Sequence, residues 1–235
     1  MLFILLMALA ADDNADEILK KADSAANSYK DQRFVMTMTI EGSGATKVAK
    51  METLQKGSDK RLVRFLAPGD VKGTAILMDG SAMYMYMPQF QKVRRIASHS
   101  LGQGFMDSDF TQADMGSISF NTAYNASLTE TNEKGWKLHL VPKPGTETGV
   151  EALDVTIDKG SYLISQIDYL SGGKAVRRQT RGVLKTFPGT GPTPSVITMQ
   201  DLTKAHRTTM TMDEMKVNSG LPDSLFTKQS LERAQ

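Results

Sequence analysis

Over most of the chain from Asp31 to Val217, apolar and polar residues alternate with a period of two, broken again and again by turn residues. Phe34, Met36, Met38 and Ile40 alternate with Val35, Thr37 and Thr39. Successive residues of an extended chain point to opposite faces, so this run describes a strand with one apolar side. Gly42-Ser43-Gly44 turns the chain into 46–54, and Pro68-Gly69 ends the strand at 61–66. Strands 74–78 and 82–87 flank Asp79-Gly80, a strong hairpin signal. The strand at 92–96 follows. A polar stretch without period runs over 98–117, and strands resume at 127–130, 136–141, 151–157 and 162–170. Gly172-Gly173, a Pro/Gly/Thr loop at 188–194, and strands at 175–184, 195–202 and 208–217 complete the pattern. A count of about eleven hairpin-connected strands implies a large antiparallel sheet, which curls or closes rather than staying flat. The fold expected is therefore mainly β: a large curved antiparallel sheet.

Two segments depart from the alternation. Asn14 to Asp31 reads as a helix, with Asn14 as N-cap and Glu17 three residues on. Ile18, Ala22, Ala25 and Tyr29 fall at helical spacing, and Leu19 and Ala26 widen the stripe. The tail, Leu221 to Gln235, has Pro222 at a helix-start position and reads as one or two short helical turns.

The first ten residues, MLFILLMALA, are continuously apolar. As a helix they rise only ~15 Å, about half a bilayer core. With Ala8-Leu9-Ala10 as a small-x-small site, 1–10 reads as the apolar region of a cleaved signal peptide, without a basic segment before it. The mature part, 11–235, is expected to be one domain, exported and soluble in the periplasm of a Gram-negative bacterium.

Composition excludes several functions. The 28 Lys and Arg balance 26 Asp and Glu, so no basic field favours nucleic acid. Cysteine is absent, which excludes thiolate catalysis, Cys-ligated metals and disulfides. The three histidines, His99, His139 and His206, are scattered, and no metalloprotease, P-loop, nucleophile-elbow or dinucleotide motif occurs. No catalytic residue, metal ligand or cofactor is assigned, and the chain is not expected to be an enzyme. Asp107, Asp109 and Asp114 cluster around Phe110, more simply a polar loop with Asx turns than a calcium site.

Methionine is the unusual residue: 15 are present, as many as Phe and Tyr together. Met36 with Met38, Met83 with Met85 and Met87, and Met210 with Met212 each share one strand face. Three readings compete. Met fills irregular cores; it repacks around acyl chains of different shape; and its thioethers bind Cu(I).

Several motifs occur in order: Arg64-Phe-Leu-Ala-Pro68, Lys72-Gly73-Thr74, Asp79-Gly80 and Met83-Tyr-Met-Tyr-Met-Pro88. Lys92-Val-Arg-Arg-Ile96, Phe105-Met-Asp-Ser-Asp-Phe110 and Asp114 follow, then Leu221-Pro-Asp-Ser-Leu-Phe-Thr227 and Leu231-Glu232. The mature chain resembles the outer-membrane lipoprotein-sorting family, the LolA-like periplasmic carriers. Asp107 stands where that family suggests Gly, and methionines replace its Leu or Trp at Met83 to Met87. The resemblance implies a half-open β-barrel with a helical lid or plug. It also implies lipid or acylated-lipoprotein cargo, an inner-membrane transporter and an outer-membrane acceptor as partners, and no nucleic acid. On this reading Phe34, Met36, Met38, Ile40, Met83, Met85 and Met87 line an apolar cavity, with Trp136 and Leu138 beside them. The opposite parity would turn Tyr84 and Tyr86 inward instead. Arg94, Arg95, Asp109 and Phe110 are expected at the rim, where a head group or membrane partner meets the protein. A Met-rich copper-binding protein is the alternative.

Overall fold

The computed structural model describes residues 14–42, 44–80, 82–116 and 119–232. The signal-peptide expectation at 1–10 lies outside them. Helix α1 (Ala15–Ala26) precedes the sheet. The Asn14 carboxamide oxygen accepts from the backbone N–H groups of Asp16 and Glu17, at 2.9 and 3.3 Å. The helix is shorter than the segment read from sequence. Asn27 ends it, with both its backbone N–H and its side-chain amide donating to the Asp23 carbonyl. Ile18, Leu19 and Ala22 are buried, while Ala26, expected in the stripe, is exposed.

Among the described residues, thirteen strands form one antiparallel sheet. They are β1 (Asp31–Glu41), β2 (Lys47–Lys56), β3 (Lys60–Ala67), β4 (Ala75–Asp79), β5 (Ala82–Met87), β6 (Lys92–Arg95) and β7 (Tyr124–Thr131). The remainder are β8 (Gly135–Pro142), β9 (Ala152–Asp158), β10 (Ile164–Ser171), β11 (Lys174–Thr186), β12 (Pro192–Asp201) and β13 (His206–Val217). The spatial order runs β6-β5-β4-β3-β2-β1-β13-β12-β11-β10-β9-β8-β7. Every neighbour is also a sequence neighbour except β1 and β13, whose pairing joins the two ends of the chain in mid-sheet. The sheet curves without closing, so β6 and β7 are free edges. Each strand corresponds to a segment read as extended in the sequence, β4 and β6 included, so the count of about eleven is too low.

The period of two sorts the side chains onto two faces. Val63, Phe65, Ile76 and Met83 enter a large cluster that also holds Ile18, Leu19 and Ala22 of α1. Their neighbours Leu62, Ala75, Leu77 and Tyr86 enter a smaller cluster on the opposite face. The tail covers that outer face: Phe226 and Leu231 of helix α3 (Lys228–Glu232) and the turn before it complete the small cluster. Lys56 and Lys60 hold Asp223 at 3.1 and 2.8 Å, and the Lys228 ammonium sits 4.2 Å from the Tyr84 ring centroid.

The polar stretch after β6 contains an element that the alternation did not reveal, helix α2 (Gln112–Gly116). Thr111 and Asp114 cap it reciprocally. The Thr111 N–H donates to the Asp114 carboxylate at 2.7 Å, and the Asp114 N–H donates to the Thr111 hydroxyl at 3.2 Å. A Thr-x-x-Asp spacing is legible in sequence and was the available signal.

Candidate functional site: the concave face

The concave face of the sheet carries the methionines. Register sets three of them in one row: Met36 of β1 pairs with Met51 of β2 and with Met212 of β13. One step along, Met38 pairs with Ala49 and Met210. A bulge at Val35/Met36 buries both of those side chains. Ile40 is buried beyond Met38, and Phe34 is half-buried against the same cluster. On β5, Met83 is buried and Met85 half-buried on this face, whereas Tyr84 and Tyr86 point to the outer one. Met87 is half-buried at the strand end, outside the large cluster. Trp136 and Leu138 of β8 belong to that cluster too. Trp136 stacks on Tyr162 at 5.3 Å, beside an open depression of about 250 Å³ lined also by Glu130, Lys137 and Ile157.

The concave face is filled by the protein's own plug. Phe105 and Phe110 from the loop before α2, and Met115 of α2, are buried in the large cluster. The Phe65 and Phe105 rings lie 5.5 Å apart. Helix α1 lies over the β7 side, where the Ala126 N–H donates to Asp16 at 3.3 Å. The Asp23 carboxylate ties α1 to the segment after α2, accepting from the Ser119 hydroxyl and the N–H groups of Phe120 and Asn121 at 2.7, 3.1 and 2.7 Å.

The four rim residues do not form one rim. Arg94 and Arg95 are exposed on edge strand β6, with the Arg94 guanidinium 5.9 Å from the Phe90 ring. Asp109 and Phe110 are buried. Asp109 accepts from the Thr208 hydroxyl at 2.7 Å and pairs with His206 Nδ1 at 2.7 Å, while Phe110 packs into the large cluster. The loop folds inward here because a buried carboxylate with two partners and a buried ring both favour it. The acidic cluster is likewise dispersed: Asp107 pairs with Lys47, Asp109 with His206, and Asp114 with Arg177.

A polar belt inside the concavity went unread in the sequence. Arg177 donates to Asp114 at 2.6 Å and lies 4.2 Å from the Tyr169 ring centroid. Burial, and then the Asp114 charge, push the Tyr169 hydroxyl well above its usual pKa, so it stays neutral. Arg61 of β3 donates to the Gln55 carboxamide oxygen through Nη2 and Nε, at 2.7 and 3.3 Å, and to the Met115 carbonyl at 3.4 Å. Burial and the charge of Arg181 bring Arg61 down to about 10. Arg181 of β11 donates through Nε to the Gln179 carboxamide oxygen at 2.6 Å, and burial lowers its pKa too. A signal did exist: Arg61 shares parity with Val63 and Phe65, so a cation stood on the apolar side of β3.

A family model described as "-like: Uncharacterized protein" matches residues 57–233. The chain belongs to that family. No curated protein matches it in sequence. Solved structures resemble it along nearly the whole chain. An outer membrane lipoprotein-sorting protein domain from Vibrio parahaemolyticus is 22% identical with a TM-score of 0.80, covering 93% of this chain and 98% of its own. A LolA superfamily protein from Nitrosomonas europaea is 20% identical with a TM-score of 0.78, covering 92% and 99%. A DUF1329 family protein from Desulfovibrio piger is 22% identical with a TM-score of 0.81, covering 93% and 99%. The fold is thus the LolA-like one, an open curved sheet with few helices, as the resemblance in sequence implied.

Proposed function

We propose that this family member is a periplasmic carrier. It binds a lipidated protein or another lipid on its concave face and shuttles it between inner and outer membranes, without a catalytic step. An inner-membrane transporter would load it and an outer-membrane acceptor would unload it. The observation that carries this reading is the concave methionine band beneath Phe105, Phe110 and Met115. Among the described residues no helix is long and apolar enough to cross a membrane.

The energetics support such a role. Each CH2 of an acyl chain exposed to water costs ~0.8 kcal/mol, so a sixteen-carbon chain resists unaided transfer by roughly 13 kcal/mol. The plug residues Phe105, Phe110 and Met115, with Ile18 and Leu19 of α1, occupy the volume such a chain would take. Cargo would exchange one apolar filling for another, so binding would be moderate and reversible. Unbranched methionine can repack around either filling.

Native mass spectrometry of protein from its own host, followed by organic extraction, would identify co-purifying lipid or acylated peptide. Fluorescent fatty-acid loading, with Met85→Asp alongside the wild type, tests the face itself. Met85 is half-buried, so this variant is expected to fold while loading falls at least about tenfold. Unfolding of the variant, or unchanged loading, would count against the site. The Met51–Met36–Met212 row keeps a Cu(I) reading in view, and titration of the purified protein with Cu(I) decides it.

A further inference from the structure

We infer that the edge of the sheet at β6, with the turn before it, is a docking surface for an anionic bilayer. This goes beyond the carrier reading and stands whether or not the concave face holds a lipid. Lys92, Arg94 and Arg95 are three of the four residues of β6, and all three are exposed. None of them enters an ion pair or a side-chain hydrogen bond among the described residues. These three cations outweigh the formal net charge of the whole chain, +2, so the positive charge is concentrated here rather than spread. Lys228 of α3 adds another: its ammonium lies over the ring of Tyr84, which pairs with Arg95. Phe90, in the turn Pro88–Phe90 that leads into the strand, is 54% exposed. The Arg94 guanidinium lies 5.9 Å from its ring centroid.

A second copy of the chain would set this edge against itself, cation opposite cation. The other edge does not complement it, because at β7 the Ala126 N–H already donates to Asp16 of α1. An extended peptide would find only a short ladder, since two residues of this four-residue strand turn their N–H and C=O outward. An anionic bilayer needs no ladder. It takes cations spread along ~10 Å of edge, each strengthening adsorption about fivefold. An aromatic ring at the end of the row sits among the head groups. Cations on an edge strand also prevent edge-to-edge pairing. That role leaves the exposed Phe90 ring unexplained, whereas a bilayer uses it. Register orients the contact: Met85 pairs with Arg94 and Met87 with Lys92, so these two cations stand on the concave side of the edge. Arg95, opposite Tyr84, stands on the outer side. Docked by this edge, the protein turns the open lip of its methionine face toward the membrane.

The full chain is tested by flotation with vesicles of phosphatidylcholine alone and of phosphatidylcholine with about 30% phosphatidylglycerol. The wild type is expected to bind the anionic vesicles at least about tenfold more tightly, and high salt should shrink that preference. Lys92→Gln combined with Arg95→Gln should weaken binding to the anionic vesicles roughly 10- to 30-fold. Phe90→Ser should weaken it about fivefold, and it carries the test alone if the double variant does not fold. Lys134→Gln combined with Lys185→Gln removes two exposed lysines elsewhere on the surface and should change binding by less than about twofold. Equal wild-type binding to neutral and anionic vesicles would overturn the docking surface. Equal losses in the two double variants would overturn it too, since net charge and not this edge would then draw the protein. Unchanged binding in Phe90→Ser would overturn the seating of the ring among the head groups. Tighter binding to soluble polyglutamate than to anionic vesicles would reassign the edge to an acidic polypeptide and overturn the bilayer. Fatty-acid loading in solution is read separately, so none of these outcomes bears on the carrier reading.

Discussion

Removing the Asp23 carboxylate should loosen α1 on the sheet without melting the sheet. Asp23 is 8% exposed and accepts three hydrogen bonds from 119–121, the segment that follows α2. A hydrogen bond to an ionised group contributes about 1.5–3 kcal/mol, and three on one carboxylate are not additive. A loss of about 2–3 kcal/mol in Asp23→Ala is therefore expected. The apolar contribution of α1 comes mainly from Ile18 and Leu19, 4% and 1% exposed. At about 1.5–3 kcal/mol each, these side chains hold the helix with roughly 3–6 kcal/mol. The carboxylate then supplies about a third to a half of the docking, and its loss leaves the helix still associated but opening roughly 30- to 150-fold more often. Native-state hydrogen exchange reads this directly. The amides of α1 should lose that much protection, while those of the β1–β13 pair in mid-sheet should change by less than about threefold. Fatty-acid loading should become faster as the lid opens. Equal loss of protection in α1 and in β1–β13 would show that the helix is part of one cooperative unit and would refute the lid argument. Unchanged exchange in α1 would refute the assignment of Asp23 as its tether.

Asp31 opens β1, and its carboxylate accepts from Ser219 N–H and hydroxyl, Gly220 N–H and Leu221 N–H at 2.8, 2.9, 2.9 and 3.3 Å. Burial raises its pKa, the Ser219, Gly220 and Leu221 donors lower it, and the net lies below the ordinary 3.8. Its stabilisation is complete above that ordinary value and fades as pH falls through the lower folded one. Asp31→Asn should cost about 2 kcal/mol at pH 7 in urea unfolding, and the gap to wild type should narrow below about pH 3.8; a pH-independent gap would contradict this. Phe226→Ala should destabilise the outer-face cluster by about 3–5 kcal/mol while fatty-acid loading stays unchanged, because Phe226 packs against Leu62 and Leu77 and not against the methionines. Impaired loading in the folded variant would show that the two faces are coupled.

Much of this architecture is legible in the sequence. The alternation of Phe34 to Ile40, the Asp79-Gly80 turn and the cap at Asn14 are local signals, each set by a few adjacent residues, and each corresponds to an element. Which of the two alternating faces of β5 turns inward was left open between Met83 with Met85 and Tyr84 with Tyr86. It was settled only when the tail arrived to cover Tyr84 and Tyr86, an event more than a hundred residues away in sequence. The inward fold of Asp109 and Phe110 depends on His206 and Thr208, nearly a hundred residues distant, and no local pattern announces it. The pairing of Arg177 with Asp114, sixty-three residues apart, is the same kind of fact. Period two assigns each residue a face, and period two is a property of the chain alone. Which faces become buried, and against what, is decided by register and curvature across the strands, and those exist only in the assembled sheet.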